Sequence, residues 1–107
     1  MNEECMLIRA RFMLGDFRIT RAAHEKISPN DTANGLVRHA QGDWGDVSEA
    51  ERAANETALQ EGGRLVSVYQ NEEGVKYSFV TEADRSATTL LLPDDYQLLT
   101  ENSHLVA

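Results

Sequence analysis

The chain changes its period at Gly62-Gly63, and that switch constrains the fold more than any other feature. Before it, apolar residues recur at helical spacing. After it, three short runs rich in Val, Tyr, Phe, Thr and Leu follow one another to about residue 92. The stretch that leads into the glycines, "DVSEAERAANETALQEGG", carries a capping box, in which Ser48 and Glu51 can each accept from the other's backbone amide. The glycine pair supplies the stop. This helix is the most strongly specified element of the chain. Its apolar positions Ala50, Ala53, Ala54 and Ala58 are small, which allows close approach to a neighbouring layer but buries little area.

Upstream, Ser28-Pro29 predicts another helix start, because Ser caps, Pro suits the first helical position and Asp31 lies near the positive end of the dipole. That helix runs to about Gln41 and stops at Gly42. Ala33, Leu36, Val37 and Ala40 form its apolar stripe, and Gly35 weakens it. Thr20 can cap a shorter helix through "RAAHEKI". Before it, Leu7–Phe12, a turn at Gly15-Asp16 and then Phe17-Arg18-Ile19 read as a small hairpin.

Downstream, Arg64–Gln70 and Val75–Thr81 are joined by Asn71-Glu72-Glu73-Gly74, a hairpin with glycine where positive φ is needed. Val75, Tyr77 and Phe79 form the better core face of the second strand. Ala87–Leu92 is apolar on both faces, which points to a central or covered strand, ended by Pro93. The expected fold is α+β. An N-terminal extended segment and two to three helices pack on one face of a C-terminal antiparallel sheet of three to four strands. One domain spans residues 1–107, with a frayed tail from about residue 100.

Charge and cysteine content narrow the function classes. A net charge of −8 on 107 residues opposes attraction to nucleic-acid phosphates and to anionic membrane, so any nucleic-acid role must be local. Cys5 is the only cysteine, which rules out an internal disulfide and a multi-thiolate zinc site. The start, "MNEECMLIRARFML", has two early acids and no apolar run of signal form, and no segment approaches the length of a membrane span. The expected location is the cytoplasm. There is no phosphate loop, GxGxxG, HExxH, GxSxG or EF-hand loop, and His24, His39 and His104 are isolated in sequence. No cofactor and no metal are expected, and the partner expected is a protein.

Two polar motifs hold the candidate site residues: "RHAQGDWGD" at Arg38–Asp46 and "TEADRSATT" at Thr81–Thr89. His39 lies in the last turn of its helix, off the apolar stripe, where the dipole favours imidazolium. It is a general acid or base, or else it caps the last carbonyls and touches Trp44 or Asp43. Trp44 plugs the core beneath a tight connection made by Gly42 and Gly45, or offers a binding platform. Arg38, Asp43 and Asp46 are binding candidates on the same turn, the acids also serving loop amides or the next helix start. In the second motif Arg85 can grip a phosphate or carboxylate bidentately, or pair with Glu82 or Asp84 beside it. Glu82, Asp84 and Ser86 join it as binding candidates, while Thr88 and Thr89 point to opposite faces of the following strand.

At these motifs the chain resembles a family of short bacterial proteins often met on plasmids and phages. That family's pattern runs approximately RHxxGDWG, an acidic helix with an Asn, GxRLLSxY, then ITEADRSxTTxLLPxxY. The matching stretches are "RHAQGDWGD", Asn55, "GGRLVSVY" and "VTEADRSATTLLLPDDY", between about Ile19 and Tyr96. The resemblance implies a mobile-DNA setting and transfers no activity. A likeness of architecture alone, helices followed by an antiparallel meander, is shared with barnase- and colicin-type ribonucleases. On that analogy His39 is the base, Arg85 holds the phosphate and Thr88 or Thr89 supplies the hydroxyl, without metal. The leading expectation is a small acidic binding or regulatory protein, and the metal-independent ribonuclease is the alternative.

Overall fold

The computed structural model describes residues 10–95. In chain order they form β1 (Asp16–Ile19), α1 (Arg21–Lys26), α2 (Pro29–Ala40), α3 (Glu49–Glu61), β2 (Leu65–Gln70), β3 (Lys76–Thr81) and β4 (Ala87–Leu91), followed by a 3-10 turn at Pro93–Asp95. The α+β architecture expected from the period switch is the one observed.

Each helix begins where its cap residue places it. The Thr20 hydroxyl accepts from the Ala23 amide at 3.2 Å and the Ser28 hydroxyl from the Asp31 amide at 3.0 Å. Both halves of the Ser48–Glu51 box are made, at 2.8 and 3.0 Å. Gly62, at φ 87°, ends α3.

The sheet has the order β1-β4-β3-β2. Strands β2 and β3 form the expected hairpin, with Leu65 opposite Thr81 and Gln70 opposite Lys76. Its turn is held by the Asn71 side chain, which accepts from the amides of Glu73 and Val75. β4 pairs antiparallel with β3, and β1 lies parallel to β4, Asp16 opposite Ala87 and Ile19 opposite Leu90. The sheet is therefore mixed, and among the described residues β1 pairs with β4 and not with a preceding strand. Arg11 and Phe12 lie in a bend, Leu7–Arg9 fall outside the described residues, and Gly15 turns the chain against β4. A Cβ at Gly15 would overlap the Ser86 backbone, so only glycine permits that approach.

One face of the sheet presents Tyr69, Tyr77, Phe79 and Leu90 to Ala23 of α1, to Ile27 just after it and to half-buried Leu36 of α2. Trp44, Ala58 and Leu65 make a second cluster, where α3 docks. Ser78, Val80, Thr89 and Leu91, on the opposite face, are buried as well, so β3 and β4 are covered on both sides. Two helical stripes turn out differently from their hydropathy. On α2 the buried residues are Gly35, His39 and Ala40, while Ala33 is exposed. Close contact decides this: a Cβ at Gly35 would stand 2.5 Å from Phe79 Cε1, so the glycine faces the sheet because it is the smallest residue. On α3 Asn55 and Ala58 are buried while Ala50, Ala53 and Ala54 are exposed. Asn55 sets that rotation by donating to the Val66 carbonyl at 2.8 Å and accepting from the Val66 amide at 3.1 Å. Among the described residues no helix is long and apolar enough to cross a membrane.

Candidate functional site

The Arg38–Asp46 motif folds as a turn laid along β2. Gly42 (φ 82°) and Gly45 (φ 76°) bend it, and a Cβ at Gly45 would overlap the Val68 carbonyl oxygen. The Trp44 carbonyl accepts from the Val68 amide at 3.0 Å and the Asp46 amide donates to the Val68 carbonyl at 2.7 Å. Between these bonds Trp44 is carried into the core, 4% exposed, and its indole N–H donates to Glu56 at 3.0 Å. Its architectural role is the one its size suggests.

On the solvent side of the turn, Arg38 Nε donates to Asp43 at 2.8 Å while the guanidinium lies 4.3 Å above the Tyr69 ring. The tyrosine hydroxyl donates to the Asp43 carbonyl at 2.5 Å. The hydrogen bond with Asp43 holds Arg38 above the usual arginine range, and the same bond lowers Asp43 below the carboxylate range. Burial raises Tyr69. Arg38, Asp43, Asp46, Tyr69 and Gln70 line a polar cleft of about 300 Å³. Both partners of the Arg38–Asp43 pair are half exposed, so the pair contributes little stability and remains able to exchange partners.

His39 sits at the other extreme, with no exposed surface. Its Nδ1 lies 2.5 Å from Ser67 Oγ and its Nε2 2.8 Å from Thr81 Oγ1. Thr81 Oγ1 is 2.7 Å from Thr88 Oγ1, whose hydroxyl donates to the Leu14 carbonyl at 2.7 Å. The carbonyl end fixes the direction of every proton in this chain. Thr88 gives its hydrogen to Leu14, Thr81 gives its own to Thr88, and His39 must donate to Thr81 from Nε2–H. Nδ1 is left as the acceptor for Ser67. Each bond is satisfied with a neutral ring. Phe12, Trp44 and Phe79 surround the imidazole with centroids 5.2 to 5.8 Å away. Burial lowers its pKa from 6.5 to about 4. The helix C-terminus would favour imidazolium, but desolvation outweighs it. His39 touches Trp44 as expected, but it bonds across to the sheet rather than to the carbonyls of its own helix.

The second motif is a tight connection between β3 and β4. Arg85 is the only non-glycine residue with positive φ among those described, at 62°. Its guanidinium pairs with neither Glu82 nor Asp84 carboxylate. It donates instead to the carbonyls of Ala58 (3.0 Å), Gly63 (2.6 Å), Glu82 (3.0 Å) and Ala83 (3.2 Å). Two of these acceptors lie at the end of α3, so Arg85 caps that helix from a distance. Glu82 accepts from Arg64, and the Asp84 carboxylate accepts from the Ser86 amide, with its pKa lowered by Ser86. Thr88 joins the His39 chain on one face of the sheet, while Thr89 is buried on the other.

The two motifs thus meet through the core: the Phe12 ring lies 5.2 Å from His39 and 5.9 Å from the Arg85 guanidinium. A His39 nitrogen, an Arg85 donor and a hydroxyl do not share an open surface. What does reach solvent is Arg38, Asp43 and Asp46 on the first motif, which share one cleft, and Asp84 and Ser86 on the second. Sequence reading missed Tyr69 and Ser67, which position that turn and the histidine, and the role of Asn55 in seating α3 on β2. The signal was present in "RLVSVYQ", where Leu65, Ser67 and Tyr69 alternate onto the face that meets α2. Among the described residues no group of three His, Cys, Asp or Glu side chains is arranged to hold a metal. No protein family, curated protein or solved structure matches this chain.

Proposed function

We propose that this chain is a small acidic binding or regulatory protein whose contact surface is the polar cleft between the Arg38–Asp46 turn and β2. One contrast carries the reading. The groups suited to catalysis, His39 and Thr88, have both ends of their hydrogen-bonding capacity used inside the core, and Arg85 donates to four backbone carbonyls. Arg38, Asp43, Asp46 and Gln70 are exposed around one concavity. A planar guanidinium stacked on an aromatic ring, with carboxylates beside it, suits recognition of a protein surface bearing both charges. The resemblance to proteins carried on plasmids and phages supports a cytoplasmic setting on mobile DNA.

The test is site-specific photocrosslinking in cells, with the crosslinker at Asp46 and, as a control, at Gln60 on the exposed side of α3. Asp46 should capture one discrete protein partner that Gln60 does not, and Arg38→Ala should abolish the product. Purified protein that cleaves RNA, with cleavage lost in His39→Ala, would instead establish the ribonuclease and overturn this reading.

A further inference from the structure

The two edges of the sheet are treated differently. On β2 the outward backbone groups of Val66 and Val68 are taken: Asn55 holds the amide and carbonyl of Val66, and the backbones of Trp44 and Asp46 hold those of Val68. On β1 they are not. The amides of Asp16 and Thr20 donate inward to Ser86 and Leu90, so the alternation of a parallel ladder aims the amides and carbonyls of Phe17 and Ile19 away from the sheet. None of these outward groups bonds to another described residue. Beside that edge lie the exposed large hydrophobic residues among those described, Met13 (74% exposed) and Phe17 (42%). Phe17 and Ile19 also form the rim of an apolar cavity of about 540 Å³ that reaches Ile27 and Leu36. An open edge flanked by apolar side chains invites another strand.

We propose that the occupant is a second copy of this chain, joined β1 to β1 antiparallel about a two-fold axis through Phe17, to give one continuous eight-stranded sheet. The sequence around the axis selects both partner and register. Asp16 and Arg18 flank Phe17 with opposite charges, are both exposed, and enter no ion pair among the described residues. Centring the pair on Phe17 sets Asp16 of each copy opposite Arg18 of the other, twice over, with the two Phe17 amides and carbonyls bonding reciprocally. Of the two other registers that use the same outward groups, the one centred on Arg18 sets arginine against arginine and is rejected by repulsion, and the one centred on Ile19 sets Arg18 against Thr20 and runs Phe17 onto Arg21, where α1 begins. Phe17 of each copy then covers its counterpart at the mouths of the two apolar cavities.

Net charge does not forbid this association. Although each copy carries −8, the segment from Asp16 to Lys26 holds three cations (Arg18, Arg21, Lys26) against two anions (Asp16, Glu25). At physiological salt, charges further apart than about 8 Å are largely screened, whereas the Asp16–Arg18 pairs are in contact.

The experiment is sedimentation velocity on the full chain at physiological ionic strength, from about 10 μM to about 1 mM, the range suited to a small interface. Wild type should dimerise reversibly within it. Asp16→Arg and Arg18→Asp should each weaken the dimer about tenfold, because each replaces two attractions by two repulsions, and the double swap should restore it to within about threefold. Circular dichroism and urea unfolding confirm that the variants stay folded, which is expected since both side chains are exposed. A chain monomeric throughout the range overturns the proposal. So does a dimer that the single reversals leave intact or that the double swap fails to rescue, including one in which β1 captures a different extended segment.

Discussion

Placing a histidine in a core requires partners for two nitrogens, and His39 finds them in residues 28 and 42 positions along the chain, Ser67 and Thr81. Neutrality is the condition of that fit, and it has a pH consequence. In the unfolded chain His39 titrates near 6.5, in the fold near 4, so its folded pKa is depressed. Above about pH 6.5 both states are neutral and stability is unaffected. As pH falls from 6.5 toward 4 only the unfolded state takes up the proton, and stability is lost across that window, by roughly 3 kcal/mol. Urea unfolding from pH 8 to pH 4 should show this decline, and His39→Gln should flatten it. Proton NMR should find the His39 ring still neutral at pH 5.5, between its folded pKa and the ordinary histidine value. A His39 signal titrating near 6.5 would contradict the assigned chain of hydrogen bonds.

Among the elements, α2 shows how a helix is seated by its smallest residue. Gly35→Ala would gain about 1 kcal/mol of helix propensity at an exposed site. Here the new methyl meets the Phe79 ring, which is itself fixed between Tyr69 and Tyr77, and the expected net result is a loss of roughly 1–3 kcal/mol. Asn34→Ala, on the exposed side, is the control and should be neutral or stabilising in the same urea titration. The extents of α2, α3 and the β2–β3 hairpin were legible because their signals are local: a cap, a capping box, a four-residue turn. The orientation of the helices was not, since hydropathy ranks alanine above glycine, histidine and asparagine. Steric approach and backbone bonding decided in favour of the latter three. The parallel pairing of β1 was illegible for a related reason. Four residues contain nothing that specifies a partner some 70 positions away, and only contact between Gly15 and the Ser86 backbone reveals it. For the candidate site, the burial of Trp44 follows from its size, whereas the enclosure of His39 depends on hydroxyls contributed by three different strands.

For the molecule as a whole, charge is the property most open to experiment. Glu72, Glu73 and Asp94 are exposed in turns, and reversing all three to lysine, each adding two positive units, takes −8 to −2. Stability should stay within about 0.5 kcal/mol, because none of the three is buried. If the negative field guides recognition, association with the captured partner should slow, and the difference should vanish in high salt; an unchanged on-rate would confine recognition to the cleft. The sealing of β2 by Asn55 and the Arg38–Asp46 turn bears on a different collective property. A sheet open at both edges can add copies without limit and grow into a fibre, but on the proposed pairing this one has a valence of one. Once β1 is taken, the edge left is β2, where Val66 and Val68 are already bonded. In the proposed dimer Asn55, a buried amide on a helix remote from β1, would thus act with that turn to hold assembly at two copies and guard a concentrated solution against polymerisation.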